Sequence, residues 1–214
     1  MTSLNTHTFC KYLTTKGNWR NQDYHSRIIV KSVKGEEFDG YWDKVIGGKL
    51  IRLDATNKEY TSRLAASFMG KKLLDLSNKE VTLVPIPNSN ACVGGQRNFN
   101  TRLFADSIAK SAQERAVVRT AFLWKNPKEK QHKQDGYRHA RQFIPLLEVV
   151  FKPKRPVVLI DDMITSGSQM LACTYLLRKA GVEVLFGMAV GRQTKIQEDG
   201  VLSWDEKIIT QLIM

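Results

Sequence analysis

The sequence predicts an α/β domain: a mostly parallel sheet flanked by helices. Three observations carry that expectation. Strand-like and helix-like segments alternate from residue 57 to 192, the order that builds a parallel sheet with helices on its faces. The run Val157–Ile160 is apolar and β-branched enough for a central strand. A chain of 214 residues holds one sizeable domain with its own core and leaves little room for two.

Residues 1–55 are the least patterned part. "RIIVKSV" (27–33) reads as a strand, and "KVIGGKLIRL" (44–53) as strand sequence broken by a turn at Gly47-Gly48. From Asn57 to Leu76 the period is helical: Leu64, Ala65, Phe68, Met69 and Leu73 share a face that Lys58, Arg63, Lys71 and Lys72 avoid. "VTLVPIP" (81–87) is a short buried strand ended by Pro85 and Pro87, which cannot donate to a central ladder. "SNACVGGQRN" (89–98) has loop composition. "NTRLFADSIAKSA" (100–112) is a helix with Asn100 placed to cap it and Leu103, Phe104, Ile108 and Ala109 facing inward. "AVVRTAFLW" (116–124) is a strand, followed by a polar stretch from 125 to about 142. After the strand at 157 comes a helix at 168–180 closed by Gly181. "VEVLFGMAVGR" (182–192) is a further strand, and "DEKIITQLIM" fits either a strand or a helix.

Composition narrows the class. No apolar run approaches the roughly 20 residues that span a bilayer. The first residues lack the pattern of a secretory signal. Cys10, Cys92 and Cys173 are few, odd in number and far apart, which fits reduced thiols better than a disulfide framework or a zinc site. A cytoplasmic protein without membrane contact is expected. The net charge of +12 attracts polyanions, either nucleic acid or small phosphorylated substrates. The basic residues are spread along the chain, so weak, sequence-independent nucleic-acid binding is the most that charge alone supports.

The chemistry concentrates in "VVLIDDMITSGSQM" (157–170). Asp161 and Asp162 emerge where the strand leaves the sheet. Thr165, Ser166, Gly167 and Ser168 turn into the next helix. The first N–H groups of a helix have no internal partners, and the helix dipole adds positive charge there. Small residues let that backbone wrap a phosphate, and the hydroxyls add donors. Acids beside a phosphate repel it unless they face neutral hydroxyls or a cation. Ribose hydroxyls and Mg²⁺ meet that condition.

This stretch resembles the phosphoribosyl-pyrophosphate (PRPP) signature of type I phosphoribosyltransferases: an apolar run, two acids, two residues, then a hydroxyl-rich turn around a glycine. Ser166 and Ser168 stand where threonines are commoner and keep the hydroxyl. "VPIPNS…RNFNTRLFA" is similar to a run of the ComF-like (competence protein F) subfamily. Arg97, Phe99, Asn100 and Ala105 match it, while Asn98 and Thr101 depart from it. The resemblance covers about residues 57–192 and lacks the zinc-binding N-terminal cysteines of many ComF-like proteins. It implies the type I phosphoribosyltransferase fold, with residues 1–55 as a variable N-terminal hood packed on a core of residues 56–214.

The resemblance also implies a reaction: transfer of the 5-phosphoribosyl group between PRPP and a nitrogenous base or nucleoside monophosphate, with pyrophosphate as co-product and Mg²⁺ as cofactor. Asp161 and Asp162 would be the catalytic acids and the ligands of Mg²⁺, directly or through water. Thr165, Ser166, Gly167 and Ser168 would hold the 5-phosphate. Asn88, Ser89 and Arg97 would meet the pyrophosphate. Gln131, Arg138 and Arg141 would belong to a mobile loop that closes over the site. A homodimer is compatible with the family.

Other readings of the acid pair fit less well. A P-loop NTPase needs a G-x-x-x-x-G-K-[ST] partner, which neither "GGKLIRL" nor "FMGKKLL" supplies. A receiver domain places its acids early and does not explain Thr165–Ser168. A ligand-free turn leaves two acids repelling each other for no gain. The rival function is a non-catalytic PRPP or nucleotide sensor that binds nucleic acid or a protein partner.

Overall fold

The computed structural model describes residues 1–15, 17–95, 98–126 and 139–213. The first half comprises β1 (Thr2–Leu13), α1 (Asn21–Lys34), β2 (Trp42–Ile46), β3 (Lys49–Leu53), α2 (Lys58–Leu76), β4 (Val81–Pro85) and α3 (Asn100–Ser111). The second comprises β5 (Ala116–Val118), β6 (Phe122–Trp124), α4 (Ala140–Phe143), β7 (Leu147–Val149), β8 (Val157–Ile164), α5 (Ser168–Lys179), β9 (Val184–Thr194) and β10 (Asp205–Gln211). The central sheet has the order β10-β1-β9-β8-β4-β5. All its pairings are parallel except that of β1 with β10. The expected mostly parallel α/β sheet is therefore present.

Period-two alternation in β8 divides the core. Val157 and Leu159 join α5 residues such as Leu171 and Cys173 on one face. Val158 and Ile160 join Met69 of α2, Phe104 of α3 and Val30 of α1 on the other. The strand following β8 in the chain lies to one side of it, and β4 and β5 lie to the other. So α3 and α5, which leave neighbouring strands, go to opposite faces. The gap between β4 and β8 is thus a topological switch point, where ligands of such sheets bind.

Several elements differ from the sequence expectation. Residues 27–33 are helical, within α1, and not a strand. Ile28-Ile29-Val30 is a β-branched run, but Ser26, Ile29, Val30 and Val33 are buried at helical spacing. Arg20 and Asp23 close the N-terminus; at the other end Gly35, at φ 69°, donates to the Ser32 carbonyl and the Glu36 N–H to the Lys31 carbonyl. Of residues 1–55, β1 lies inside the central sheet, α1 packs on it, and β2–β3 form a separate hairpin. That hairpin turns at Gly47-Gly48 as expected, with φ of 57° and 78°.

Asn100 is the first helical residue and Phe99 the cap; the Asn100 amide instead donates to the Lys34 carbonyl at 2.5 Å. Leu103 points outward, 53% exposed. Phe68 is also exposed and stacks on Phe9 of β1. Residues 116–124 form two strands, and β6 pairs with β7 outside the main sheet. The tail resolves as β10, antiparallel to β1.

Candidate phosphate and acid site

The switch point opens because β4 and β8 end at different heights. Pro85 pairs with Ile160, and the Ile86 N–H still reaches the Ile160 carbonyl at 2.8 Å. Pro87 has no N–H to continue the ladder. On its other side β8 runs on, pairing Asp161 with Ala189, Met163 with Gly191 and Ile164 with Arg192. The acids therefore lie within β8 rather than beyond its end, with one flank paired to β9 and the other open. A cleft of about 200 Å³ fills that flank. Asp161, Asp162, Thr165, Ser166, Gly167 and Ser168 all line it, and so does Asn88.

Alternation continues through the acids. Asp161 shares its face with Leu159, toward α5, and Asp162 shares its face with Ile160, toward α1. The two carboxylates leave the strand in opposite directions at the cleft floor. Asp161 Oδ1 accepts the Asp162 backbone N–H at 2.8 Å. Burial, joined by the neighbouring Asp162 charge, holds Asp161 well above the usual carboxylate range. Burial raises Asp162 too, while Lys34 at the end of α1 pulls it the other way. Among the described lining residues Lys34 is the only cation against two acids.

The start of α5 supplies the opposite chemistry. Gly167 adopts φ 71°, and a Cβ there would lie 2.6 Å from Ile209 Cδ1, so both backbone conformation and space call for glycine. The Ser166 and Ser168 hydroxyls lie 2.9 Å apart. Gln211, at the end of β10, donates to Ser168 Oγ at 2.7 Å and accepts the Ala140 N–H at 2.7 Å. Gln169 Nε2 donates to the Pro87 carbonyl at 2.7 Å, pinning the helix to the loop after β4. The turn is thereby held while the first N–H groups of α5 lie beside the cleft.

The other expected site residues are scattered. The Asn88 side chain accepts the Asn90 N–H, and its carbonyl accepts Trp124 Nε1–H at 2.7 Å. Ser89 contacts Asn90 and does not line the cleft. Arg141, on α4, donates to the Leu212 carbonyl at 3.2 Å and does not line it either. Arg97, Gln131 and Arg138 lie outside the described residues. The sequence reading did not single out Lys34, Gln169 or Gln211. Lys34 was hidden because its helix looked like a strand. Thr101 carried a signal, lying in the "RNFNTRLFA" run, and it lines the cleft from the first turn of α3.

No family model matches the chain. Over 64 residues it is 39% identical to an adenine phosphoribosyltransferase of Marinobacter nauticus, an overlap of 27% of this chain and 36% of that protein. The chain thus spans about a third of that relative's length. Among solved structures it is similar to adenine phosphoribosyltransferase from Leishmania tarentolae, with 13% identity, 81% of this chain and 88% of that chain covered, and a TM-score of 0.40. The enzyme from Trypanosoma brucei, in complex with AMP, pyrophosphate and ribose-5-phosphate, gives 12% identity, coverages of 88% and 86%, and a TM-score of 0.39. These superpositions are loose, and the fold stands on its own strand order. No helix among the described residues is long and apolar enough to cross a membrane.

Proposed function

We propose that this chain is a phosphoribosyltransferase: it binds PRPP and transfers the 5-phosphoribosyl group to or from a nitrogenous base, with pyrophosphate as co-product. One observation carries the reading. At the switch point between β4 and β8, a desolvated acid pair and the N-terminus of α5 line one cleft. The local identity to an adenine phosphoribosyltransferase supports the same class. Within that class, "VPIPNS" at the end of β4 and "RNFNTRLFA" leading into α3 favour the ComF-like group.

The chain's contribution is positioning and electrostatics. The backbone and hydroxyls of Thr165–Ser168 hold the 5-phosphate. Asp161 and Asp162 reach the ribose hydroxyls from either side of β8 and favour the positive charge that grows on the ribose as pyrophosphate leaves. Lys34 offsets the acids from the α1 side. Asn88 lies where the pyrophosphate end of the substrate would sit.

Mg²⁺ fits this site as a substrate-bound ion. No group of three or more His, Cys, Asp or Glu side chains able to hold a metal occurs among the described residues. Mg²⁺ commonly uses only one or two carboxylates and completes its shell with substrate oxygens and water. Asp161 and Asp162 would hold it, and bound there it would neutralise pyrophosphate charge.

Thermal denaturation with ligands tests the cleft. PRPP with Mg²⁺, and ribose 5-phosphate, should raise the melting temperature, by mass action worth about 2.7 kcal/mol at a hundredfold excess over Kd. Ribose should do far less. Equal shifts with ribose and ribose 5-phosphate would remove the phosphate-cradle assignment.

A further inference from the structure

A second cavity lies on the α1–α2 face of the sheet, under the β2–β3 hairpin. Its volume is about 250 Å³, and it shares no lining residue with the acid cleft. Phe9, Trp42 and Phe68 supply aromatic walls, with Ile29, Leu53 and Leu64 completing an apolar lining.

Two polar groups break that lining. Thr61, on α2, is 1% exposed, and its hydroxyl has no hydrogen-bond partner among the described residues. A buried hydroxyl left unpaired is unfavourable, and natural interiors seldom keep one without a reason. A lone water answers it poorly, because an ordered buried water needs two to four polar partners. Lys44, on β2, is the second. Its ammonium lies 4.4 Å from the centre of the Trp42 ring, and no carboxylate pairs with it among the described residues. The neighbouring acid Asp43 is engaged by Arg52 instead.

We infer that this cavity is a binding site for a small aromatic carboxylate, separate from the acid cleft. Its aromatic and aliphatic walls suit a flat ring system. The Thr61 hydroxyl supplies one donor or acceptor at depth, and the Lys44 ammonium supplies a counter-charge. The volume sits below the roughly 300–1,000 Å³ of sites for drug-sized molecules, so the occupant has one or two rings.

Titration calorimetry on the full chain with indole-3-carboxylate as probe, and indole as its neutral counterpart, tests this. Saturable binding of the carboxylate, at least several-fold tighter than indole, is expected. Lys44→Met should erase that preference and leave indole binding unchanged. Thr61→Val keeps the shape and removes the unpaired hydroxyl. It should weaken the probe about fivefold, the scale of one hydrogen bond, while raising or preserving the melting temperature of the free protein. Leu64→Trp should fill the cavity and abolish binding without unfolding the chain. Three results would overturn the inference. These are absence of saturable binding at millimolar probe, equal affinity for acid and neutral rings, and probe affinity indifferent to both Thr61→Val and Lys44→Met.

Discussion

Gln211 Nε2 donates to Ser168 Oγ at 2.7 Å, so the antiparallel edge strand β10 holds the first residue of α5. The same amide's oxygen accepts the Ala140 N–H. One side chain thus ties together β10, α4 and the proposed phosphate turn. Gln211→Ala strands the buried Ala140 N–H and should lower stability by about 1–3 kcal/mol in urea titrations. Gln211→Glu keeps the acceptor for Ala140 but loses the donor and adds negative charge. It should recover part of the stability while still weakening ribose 5-phosphate binding.

Gly167 tests the turn itself. Gly167→Ala meets two obstacles, a positive φ and a Cβ 2.6 Å from Ile209 Cδ1. A loss of about 1–3 kcal/mol is expected from the backbone alone, with more from the clash. Ile209→Ala in the same chain should restore the clash component and leave the backbone component. Full rescue by Ile209→Ala would show that space, not conformation, decides the position.

Asp161 sets a pH dependence whose sign follows from its raised pKa. Folding binds a proton more tightly there than the unfolded chain does. Its contribution is therefore most favourable below the ordinary carboxylate pKa and is lost as pH rises toward the folded-state value. Asp161→Asn should raise the melting temperature of the ligand-free protein at neutral pH, by about 2–4 °C per kcal/mol relieved. The gain should shrink as pH falls toward about 4 and be absent below it. A variant less stable than the wild type at pH 7 would contradict the desolvation of this carboxylate.

Much of this site was legible because local chemistry and topology agree. The apolar run before Asp161 predicts a central strand, and Thr165–Ser168 predict a turn into a helix; both are present. What escaped was tertiary. Ile28-Ile29-Val30 has β-branched propensity, yet burial at helical spacing against the sheet wins, and with α1 came Lys34. Polar residues mask the alternation in β1, although that strand lies inside the sheet. Gln211 sits in a tail that fits strand or helix equally, and only the pairing of β10 with β1 brings it to Ser168.

In the proposed function the acid pair serves a reaction and not only affinity. Pyrophosphate release from PRPP, across purine, pyrimidine and nicotinic bases, for the wild type, Asp161→Asn and Asp162→Asn, separates the two. Asn is nearly isosteric with Asp, and Thr165–Ser168 still hold the 5-phosphate, so ground-state binding should change little. Charge on the ribose grows only as pyrophosphate departs, so the loss should fall on turnover. Release by the wild type with at least one base, lowered on the order of a hundredfold in either variant, is the predicted result. A wild type that binds PRPP yet releases no more pyrophosphate than the variants with any base would contradict it.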